Sequence, residues 1–238
     1  MATLQALPDS EAFRTIDGIA VVDICGPLTH HDEGFFDSYD AVRDRVAEAL
    51  MSPAPAVILN IDSPGGDVSG CFEAVRELRR MSKASGKPLV AYTDGHAVSA
   101  GYAHALAAVA VYLSSTAQVG SVGALSALFD QVELDQSLGM NYAVVTSGAR
   151  KADGHPHAPI TDESRAAVQA QVDHVADLFC ELVAEVRGLT PEAVRGYEAA
   201  IFAGQNAVDA GLADQVAVFS EVLAALSGRY AGGRALGA

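Results

Sequence analysis

A nearly continuous apolar run at residues 56–61 constrains the fold of this chain more than any other segment. The run ends at the turn sequence Ser63-Pro64-Gly65-Gly66. A short apolar run bounded by turn residues is typical of a strand that is buried on both faces. Such strands occur in parallel sheets, whose crossover connections place helices over the faces. The run therefore predicts a parallel sheet covered by helices.

The neighbouring segments agree with that prediction. Residues 18–24 form a second β-rich run, and residues 88–92 form a third. Two stretches between these runs, 39–50 and 68–81, carry apolar residues at helical spacing, which predicts amphipathic helices. We therefore expect an α/β fold, and short apolar runs at 109–113 and 143–145 predict that the same pattern continues there.

From about residue 161 the pattern becomes helical. Apolar residues mark one face of a long helix, with Thr161 as its N-terminal cap and Gly188 as its end. Thr190-Pro191 starts another helix, because proline is favoured in the first helical turn. The predicted division of the chain is an N-terminal extension at 1–17, a single α/β domain at 18–218 with a helical part from about 161, and a partly flexible tail at 219–238.

Charge and composition restrict the function. The 238 residues include 30 acidic and 15 basic side chains, a formal charge of −15, without a basic stripe. This balance argues against a surface for nucleic acid or for an anionic membrane. No secretion signal is recognised, and no apolar stretch reaches the roughly 20 residues that span a membrane. The three cysteines are far apart, so we expect a cytoplasmic protein without a disulfide framework or a membrane anchor.

Ser99 is the first candidate for chemistry. It follows an apolar segment and precedes the alanine-rich residues 103–110, so we predict that it lies at a strand-to-helix turn. The N-terminus of a helix favours negative charge beside such a hydroxyl, which suits a nucleophile. The alternative is a serine that only caps the helix, since serine is strongly preferred at that position.

Lys151 is the candidate base. It lies in the glycine-flanked loop 148–154, before the long helix. A serine hydroxyl becomes a good nucleophile when a base takes its proton, and a lysine amine can do so when burial keeps it neutral. The alternative is an ordinary solvated lysine. His96, three residues before Ser99, is a rival base, although residues that close together rarely aim at each other.

Two small-residue turns complete the candidate site. Ser63-Pro64-Gly65-Gly66 can aim backbone amides at a developing oxyanion, or it can be an ordinary strand-to-helix turn. Gly120-Ser121-Val122-Gly123 is a similar turn. Its Ser121 can orient the lysine amine or be a turn hydroxyl without a catalytic role.

Metal and cofactor motifs are not recognised. The clusters His30-His31 and His155-Pro156-His157 lack the accompanying ligands of a metal site. No phosphate-binding loop of the Walker kind and no dinucleotide-binding glycine triplet occurs. We therefore expect an enzyme without a metal or a cofactor.

Four motifs, in this order, resemble those of the signal peptide peptidase A-like serine peptidases. The motifs are Asn60-Ile61-Asp62-Ser63-Pro64-Gly65-Gly66, Ala97-Val98-Ser99-Ala100-Gly101-Tyr102, Gly120-Ser121-Val122-Gly123 and Gly148-Ala149-Arg150-Lys151. The similarity runs from about residue 18 to residue 216 and includes the segment 202–214, which is similar to the closing motif of that family. Four motifs in order are far more specific than any one of them.

The resemblance implies an α/β fold of the Clp protease/crotonase-like kind, built from repeated ββα units, with a C-terminal helical segment. It implies that Ser99 is the nucleophile that forms an acyl-enzyme and that Lys151 is the general base. The amides of Gly66 and Ala100 would form the oxyanion hole, with Gly65 as a further candidate donor. Ser121 would hold the lysine amine.

Within that family the chain resembles the short, anchorless branch of tailed bacteriophages and prophages, which processes head proteins during capsid maturation. This likeness implies polypeptide substrates such as scaffold, capsid or portal proteins. It also implies a homo-oligomer and a location in the host cytoplasm or the procapsid. A fused C-terminal scaffold segment, common in that branch, is not recognised here.

Other functions stay open at the level of the sequence. A cellular signal-peptide-peptidase-like enzyme would degrade peptides with the same residues. A crotonase-like acyl-thioester enzyme would use similar oxyanion geometry, with a glutamate or aspartate as its base. A non-enzymatic assembly protein on the same fold would not need both Ser99 and Lys151.

Overall fold

The computed structural model describes residues 12–231. In it the chain forms two compact units. Of the described residues, the first unit contains 12–122 and 179–231, and the second contains Gly123–Leu178. The division into an extension, one domain and a tail stays a prediction.

The secondary structure elements are numbered in chain order. The strands are Arg14–Ile16 (β1), Ile19–Cys25 (β2), Leu28–Thr29 (β3), Asp37–Ser38 (β4), Val57–Asp62 (β5), Leu89–Thr93 (β6), His96–Val98 (β7), Val111–Leu113 (β8), Gln118–Gly120 (β9), Ile201–Ala203 (β10) and Gln215–Val216 (β11). The helices are Tyr39–Met51 (α1), Cys71–Ser85 (α2), Ala100–Ala105 (α3), Val132–Ser137 (α4), Asp162–Arg187 (α5), Pro191–Arg195 (α6), Gln205–Asp209 (α7) and Phe219–Ala231 (α8).

The main sheet of the first unit has the strand order β1-β2-β5-β6-β8-β11. Strands β2 to β11 of this sheet pair in parallel, and β1 pairs antiparallel with β2 at the edge. The predicted strands at 18–24, 56–61 and 88–92 correspond to β2, β5 and β6. Their predicted parallel pairing and the mixed α/β architecture are therefore confirmed.

Two smaller sheets lie in the same unit. Strands β7 and β9 are parallel, and β10 pairs antiparallel with β9. Strands β3 and β4 form a parallel pair. An isolated bridge links Ser63 to Ala97, and another links Leu28 to Gly66. The segment that follows β5 is thereby tied to both β7 and β3.

Capping interactions explain where several helices begin. Ser38 Oγ accepts a hydrogen bond from the Ala41 amide at 3.1 Å, which caps α1. Thr161 Oγ1 accepts one from the Ser164 amide, also at 3.1 Å, so the predicted cap of the long helix α5 is confirmed. Gly86 ends α2 with a φ of +71°, a left-handed conformation that glycine adopts without strain.

Segments near both ends of the described chain belong to the first unit. Residues 14–16, within the predicted extension, form β1, and residues 219–231, within the predicted tail, form α8. Val222 and Leu223 of α8 are buried in one apolar cluster with residues of the central strands. This burial fixes α8 against the apolar core.

The predicted continuation of the α/β pattern is confirmed at 109–113, where Val111–Leu113 form β8, and is wrong at 143–145. These residues form no strand, and Val145 is 92% exposed. Three apolar residues provide too little pairing and burial to hold a strand unless a sheet edge is available to them. The second unit instead contains α4, the first part of α5 and long irregular segments.

Candidate active site

Ser99 lies between β7 and α3, as predicted, and has an unusual backbone. Its φ is +52° and its ψ is −125°, a conformation that costs a residue with a side chain about 1–3 kcal/mol. The residue occupies the capping position of α3, but its side chain makes no capping hydrogen bond. The alternative that this hydroxyl only caps the helix therefore does not match the structure. A strained strand-to-helix turn of this kind presents a serine hydroxyl outward.

Gly65 packs directly against Ser99. A Cβ atom placed on Gly65 would lie 2.7 Å from Ser99 Cβ and 3.3 Å from the Ala100 nitrogen. The φ of Gly65 is +114°, which also favours glycine. The glycine turn after β5 and the serine turn after β7 are thus in contact, and only a residue without a side chain fits between them.

Backbone hydrogen bonds hold the glycine turn in place. The Leu28 amide donates to the Gly65 carbonyl, and the Asp67 amide donates to the Leu28 carbonyl, both at 2.9 Å. A Cβ atom on Gly66 would lie 1.9 Å from that Leu28 carbonyl oxygen. The turn is therefore built onto β3 with no space for a side chain at Gly66.

The amides of this region differ in how they are used. The Gly65 amide donates to Ser63 Oγ at 3.2 Å. Within residues 12–231 the Gly66 amide has no hydrogen-bond partner. Ala100 is the first residue of α3, where amides have no partner within the helix. The Gly66 and Ala100 amides are thus available to a ligand, whereas the Gly65 amide is already engaged.

Ser121 lies beside Ser99 in the fold. Strands β7 and β9 pair in parallel with Val98 opposite Gly120, so the two serines follow the ends of adjacent strands. The Ser99 amide donates to the Gly120 carbonyl at 2.8 Å. Ser121 also has a positive φ, +53°. The structure therefore brings Ser99, Ser121 and the glycine turn together.

Lys151 belongs to the second unit and is exposed. Its segment is a series of tight turns, in which the Lys151 amide donates to the Gly148 carbonyl at 3.0 Å. Arg150 forms an ion pair with Asp153 at 2.8 Å and donates to the Glu163 carbonyl at 2.6 Å. Because Ser99 is in the first unit, the pairing of Lys151 with Ser99 stays a prediction.

The rival base His96 is oriented toward another residue. Its amide donates to Asp62 Oδ1 at 3.1 Å, and its Nδ1 atom lies 3.7 Å from the same oxygen. The His96 side chain is 57% exposed. The His96 imidazole therefore lies beside the carboxylate of Asp62.

A second acid–histidine pair lies in the second unit. His157 Nδ1 is 2.7 Å from Asp135 Oδ2, and the side chain of Asp135 is only 6% exposed. The ring of Tyr142 stacks on the ring of His157 at a centroid distance of 3.8 Å. The backbone amide of Gln131 donates to the Pro156 carbonyl at 2.8 Å. These contacts hold Pro156 and His157, which follow the Lys151 loop, against α4 and the residue before it.

Sequence reasoning assigned no role to two buried side chains beside the glycine turn. The Tyr39 hydroxyl donates to the Asp67 carbonyl, and His104 Nδ1 lies 2.8 Å from the Ala100 carbonyl oxygen. The two rings stack with centroids 5.0 Å apart. The only signal in the sequence was a histidine within an alanine-rich helix.

No helix between residues 12 and 231 is long and apolar enough to cross a membrane. Within the same residues, no three potential ligands from histidine, cysteine, aspartate or glutamate lie close enough to hold a metal ion.

Comparison with known proteins gives the family. A sequence profile of peptidase family S49 matches residues 81–230, more than half of the chain. The chain belongs to peptidase family S49. Both Ser99 and Lys151 lie inside the matched segment.

Relatives of this S49 chain include two phage proteins. Capsid assembly protease C of Escherichia phage lambda is 29% identical, over 94% of this chain and 54% of the phage protein. Head-tail preconnector protein GP5 of Enterobacteria phage P21 is 31% identical, over 92% of this chain and 44% of that protein. The chain thus spans about half the length of these two relatives.

A plant relative extends the S49 comparison. The chloroplastic serine protease SPPA of Arabidopsis thaliana is 28% identical, over 71% of this chain and 25% of the plant protein. The resemblance to signal peptide peptidase A-like peptidases and to their phage branch is thereby confirmed.

Proposed function

We propose that this S49 chain is a serine endopeptidase in which Ser99 is the nucleophile and Lys151 is the general base. The observation that carries the proposal is the backbone of Ser99, which is strained, lies at a strand-to-helix turn and has no capping hydrogen bond. Strain of this kind persists where a functional side chain must be held in place. Gly65, packed against Ser99, restricts the space beside the hydroxyl.

The proposed reaction has two stages. Ser99 Oγ gives its proton to the neutral Lys151 amine and bonds to the peptide carbonyl carbon, which forms a tetrahedral oxyanion. The carbon–nitrogen bond then breaks, and the ammonium of Lys151 returns the proton to the leaving amine. In the second stage Lys151 takes a proton from water, the hydroxide attacks the acyl ester, and Ser99 Oγ leaves with that proton.

The amides of Gly66 and Ala100 are the proposed oxyanion hole. Neither amide has a hydrogen-bond partner among the described residues, whereas the Gly65 amide donates to Ser63. Two fixed amides stabilise the developing charge without reorganisation, and the loss of one such donor typically costs about 100-fold to 1,000-fold in kcat. Ser121 is proposed to hold the Lys151 amine.

Lys151 must lose solvent to act as a base. A free lysine has a pKa of about 10.4, and burial is what lowers the pKa of an amine. Lys151 is exposed in the isolated chain. We propose that a bound substrate and a second copy of the chain together supply the missing burial.

Exposed apolar side chains support a homo-oligomer. The large apolar side chains that are exposed in the second unit are Leu125, Phe129, Leu134, Leu138, Met140, Tyr142, Val144 and Val145. Large exposed apolar patches often mark protein interfaces, and these side chains are the candidates for one. Enclosure by other copies would also restrict cleavage to unfolded or tethered chains.

The names of the two phage relatives support capsid-related substrates. We propose scaffold, capsid or portal proteins as the natural substrates, with cleavage in the host cytoplasm or the procapsid.

The Clp protease/crotonase-like fold is part of the proposal, and the strand–strand–helix order of β6, β7 and α3 supports it. The S49 match favours a peptidase over an acyl-thioester enzyme.

The test combines cleavage of a denatured protein with labelling by a fluorophosphonate, the label being located by mass spectrometry. Ser99→Ala and Lys151→Ala should each abolish cleavage, and the double variant should be no worse than either, because the two residues act as a unit. Ser115→Ala and Lys83→Ala, at exposed positions, are the matched controls. Wild-type activity in Ser99→Ala would overturn the proposal, and loss of activity in His96→Ala, with Lys151→Ala active, would make His96 the base.

A further inference from the structure

The two proposed oxyanion donors are carried by separate elements. Gly66 lies in the turn after β5, and Ala100 is the first residue of α3. Donors of this kind act only when their positions agree with the oxyanion to within about 0.5 Å. The contacts that fix one element relative to the other therefore matter to catalysis.

A side chain binds a carbonyl close in sequence to each donor. On the turn, the Tyr39 hydroxyl donates to the carbonyl of Asp67, the residue after Gly66. On the helix, His104 Nδ1 lies 2.8 Å from the carbonyl oxygen of Ala100 itself. Tyr39 is the first residue of α1, so neither of the two donor segments supplies both contacts.

The two side chains also contact each other. The rings of Tyr39 and His104 stack with centroids 5.0 Å apart and an interplanar angle of 24°. Tyr39 is 3% exposed and His104 is 0% exposed. A continuous chain of contacts thus runs from the Asp67 carbonyl, through two stacked rings, to the Ala100 carbonyl.

The hydrogen bonds fix the protonation of His104. A carbonyl oxygen can only accept, so Nδ1 carries the proton. Burial lowers the pKa of His104, so the ring is neutral and Nε2 carries no proton. Among the described residues, Nε2 has no hydrogen-bond partner. An apolar side chain would avoid this unpaired nitrogen, so the histidine is explained by the contact that Nδ1 makes.

We propose that Tyr39 and His104 form an aromatic bridge that sets the position of the Gly66 amide relative to the Ala100 amide. The inference rests on the proposed function, since it presumes that these amides form the oxyanion hole. Both are positioning residues, because they act through the backbone of the turn and of α3.

The experiment compares steady-state cleavage of a peptide substrate by wild type, Tyr39→Phe, His104→Leu and His104→Asn. Tyr39→Phe keeps the ring and removes the donor. His104→Leu removes the ring and the donor, whereas His104→Asn places an amide NH2 close to the former position of Nδ1. Tyr197→Phe is the matched control, since its hydroxyl also donates to a carbonyl, that of Ala210, at 2.7 Å.

We expect Tyr39→Phe and His104→Leu to lower kcat by about tenfold to hundredfold, the effect of a small misplacement, with KM changed less than about twofold. His104→Asn should recover most of the lost kcat. Binding of a peptide boronic acid, which forms an adduct with the nucleophile, should weaken in parallel with kcat. Tyr197→Phe should leave kcat unchanged.

Each result supports or overturns the bridge. Wild-type kcat in Tyr39→Phe and His104→Leu would overturn it while leaving the proposed peptidase intact. Loss of kcat that follows a lowered melting temperature, without recovery in His104→Asn, would show a purely structural role and also overturn it. If wild type neither cleaves nor takes the fluorophosphonate at Ser99, the proposed function fails, and the bridge fails with it.

Discussion

The buried imidazole of His104 predicts a specific dependence of stability on pH. His104 is 0% exposed, and burial lowers its pKa from the ordinary histidine value. In the unfolded chain the same ring titrates at about pH 6.5. Below that pH the unfolded state binds a proton that the folded state does not, so unfolding becomes more favourable. The contribution of the neutral His104 imidazole to the free energy of unfolding is therefore complete above about pH 6.5 and is lost as the pH falls below it.

The variant His104→Leu cannot bind this proton in its unfolded state, so its comparison with wild type isolates the effect of the proton on stability. One proton bound only by the unfolded state changes the free energy of unfolding by about 1.36 kcal/mol for each pH unit. Below about pH 6.5 the difference in stability between variant and wild type should approach that slope, with the variant the more stable. At pH 8 the variant loses one hydrogen bond, worth about 0.5–1.5 kcal/mol, and also loses the unpaired nitrogen, which costs about 1–3 kcal/mol. At pH 8 the free energy of unfolding of the variant should therefore equal that of wild type or exceed it by about 2 kcal/mol.

Urea unfolding followed by circular dichroism between pH 5 and pH 8 measures this slope, since the chain contains no tryptophan. His174→Leu is the control for the loss of an exposed imidazole. Subtraction of the wild-type curve removes the contributions of the carboxylates and of the other histidines. Parallel curves for wild type and His104→Leu would refute the assignment of a neutral buried imidazole.

Three further predictions concern the turn, the second unit and a helix cap. Gly65→Ala should abolish cleavage, because its Cβ would lie 2.7 Å from Ser99 Cβ. The control Gly86→Ala also has a positive φ but has open space around it, so it should lower the free energy of unfolding by only about 1 kcal/mol and keep full activity in the same assays. Asp135→Ala should lower stability by about 1–3 kcal/mol and reduce cleavage, because it unpairs His157, whereas Asp44→Ala should change urea stability by less than about 0.5 kcal/mol. Thr190→Ala removes the acceptor for the Ala193 amide and should cost about 1 kcal/mol in thermal unfolding, with unchanged activity; an unchanged melting temperature would contradict the cap.

The central strands could be predicted from the sequence because each is apolar on both faces. Residues 56–61 carry that signal without reference to any other part of the chain, and the turn that follows them marks the end of the strand. Ser99 could be placed at a strand-to-helix turn for the same reason. The sign of its φ could not, because contacts with Gly65 and Gly120 define that conformation in the folded chain.

Features that depend on distant pairing were not predictable. Tyr39 and His104 meet across two helices that are far apart in the sequence, and neither residue carries a motif. Helix α8 lies in the segment 219–238 that we predicted as a partly flexible tail, and its burial depends on contacts with the distant central strands. At 143–145 the sequence indicated a strand where the structure has none, because strand formation needs a neighbouring edge.

The strained backbone of Ser99 has a consequence for the evolution of the chain. A glycine at this position would adopt the φ of +52° without steric cost and would relieve about 1 kcal/mol or more of strain. Selection for folding alone would therefore favour the replacement of Ser99 by glycine. A descendant that kept the fold but no longer needed the proposed peptidase activity would tend to lose the proposed nucleophile by gaining stability, without any disruption of its core.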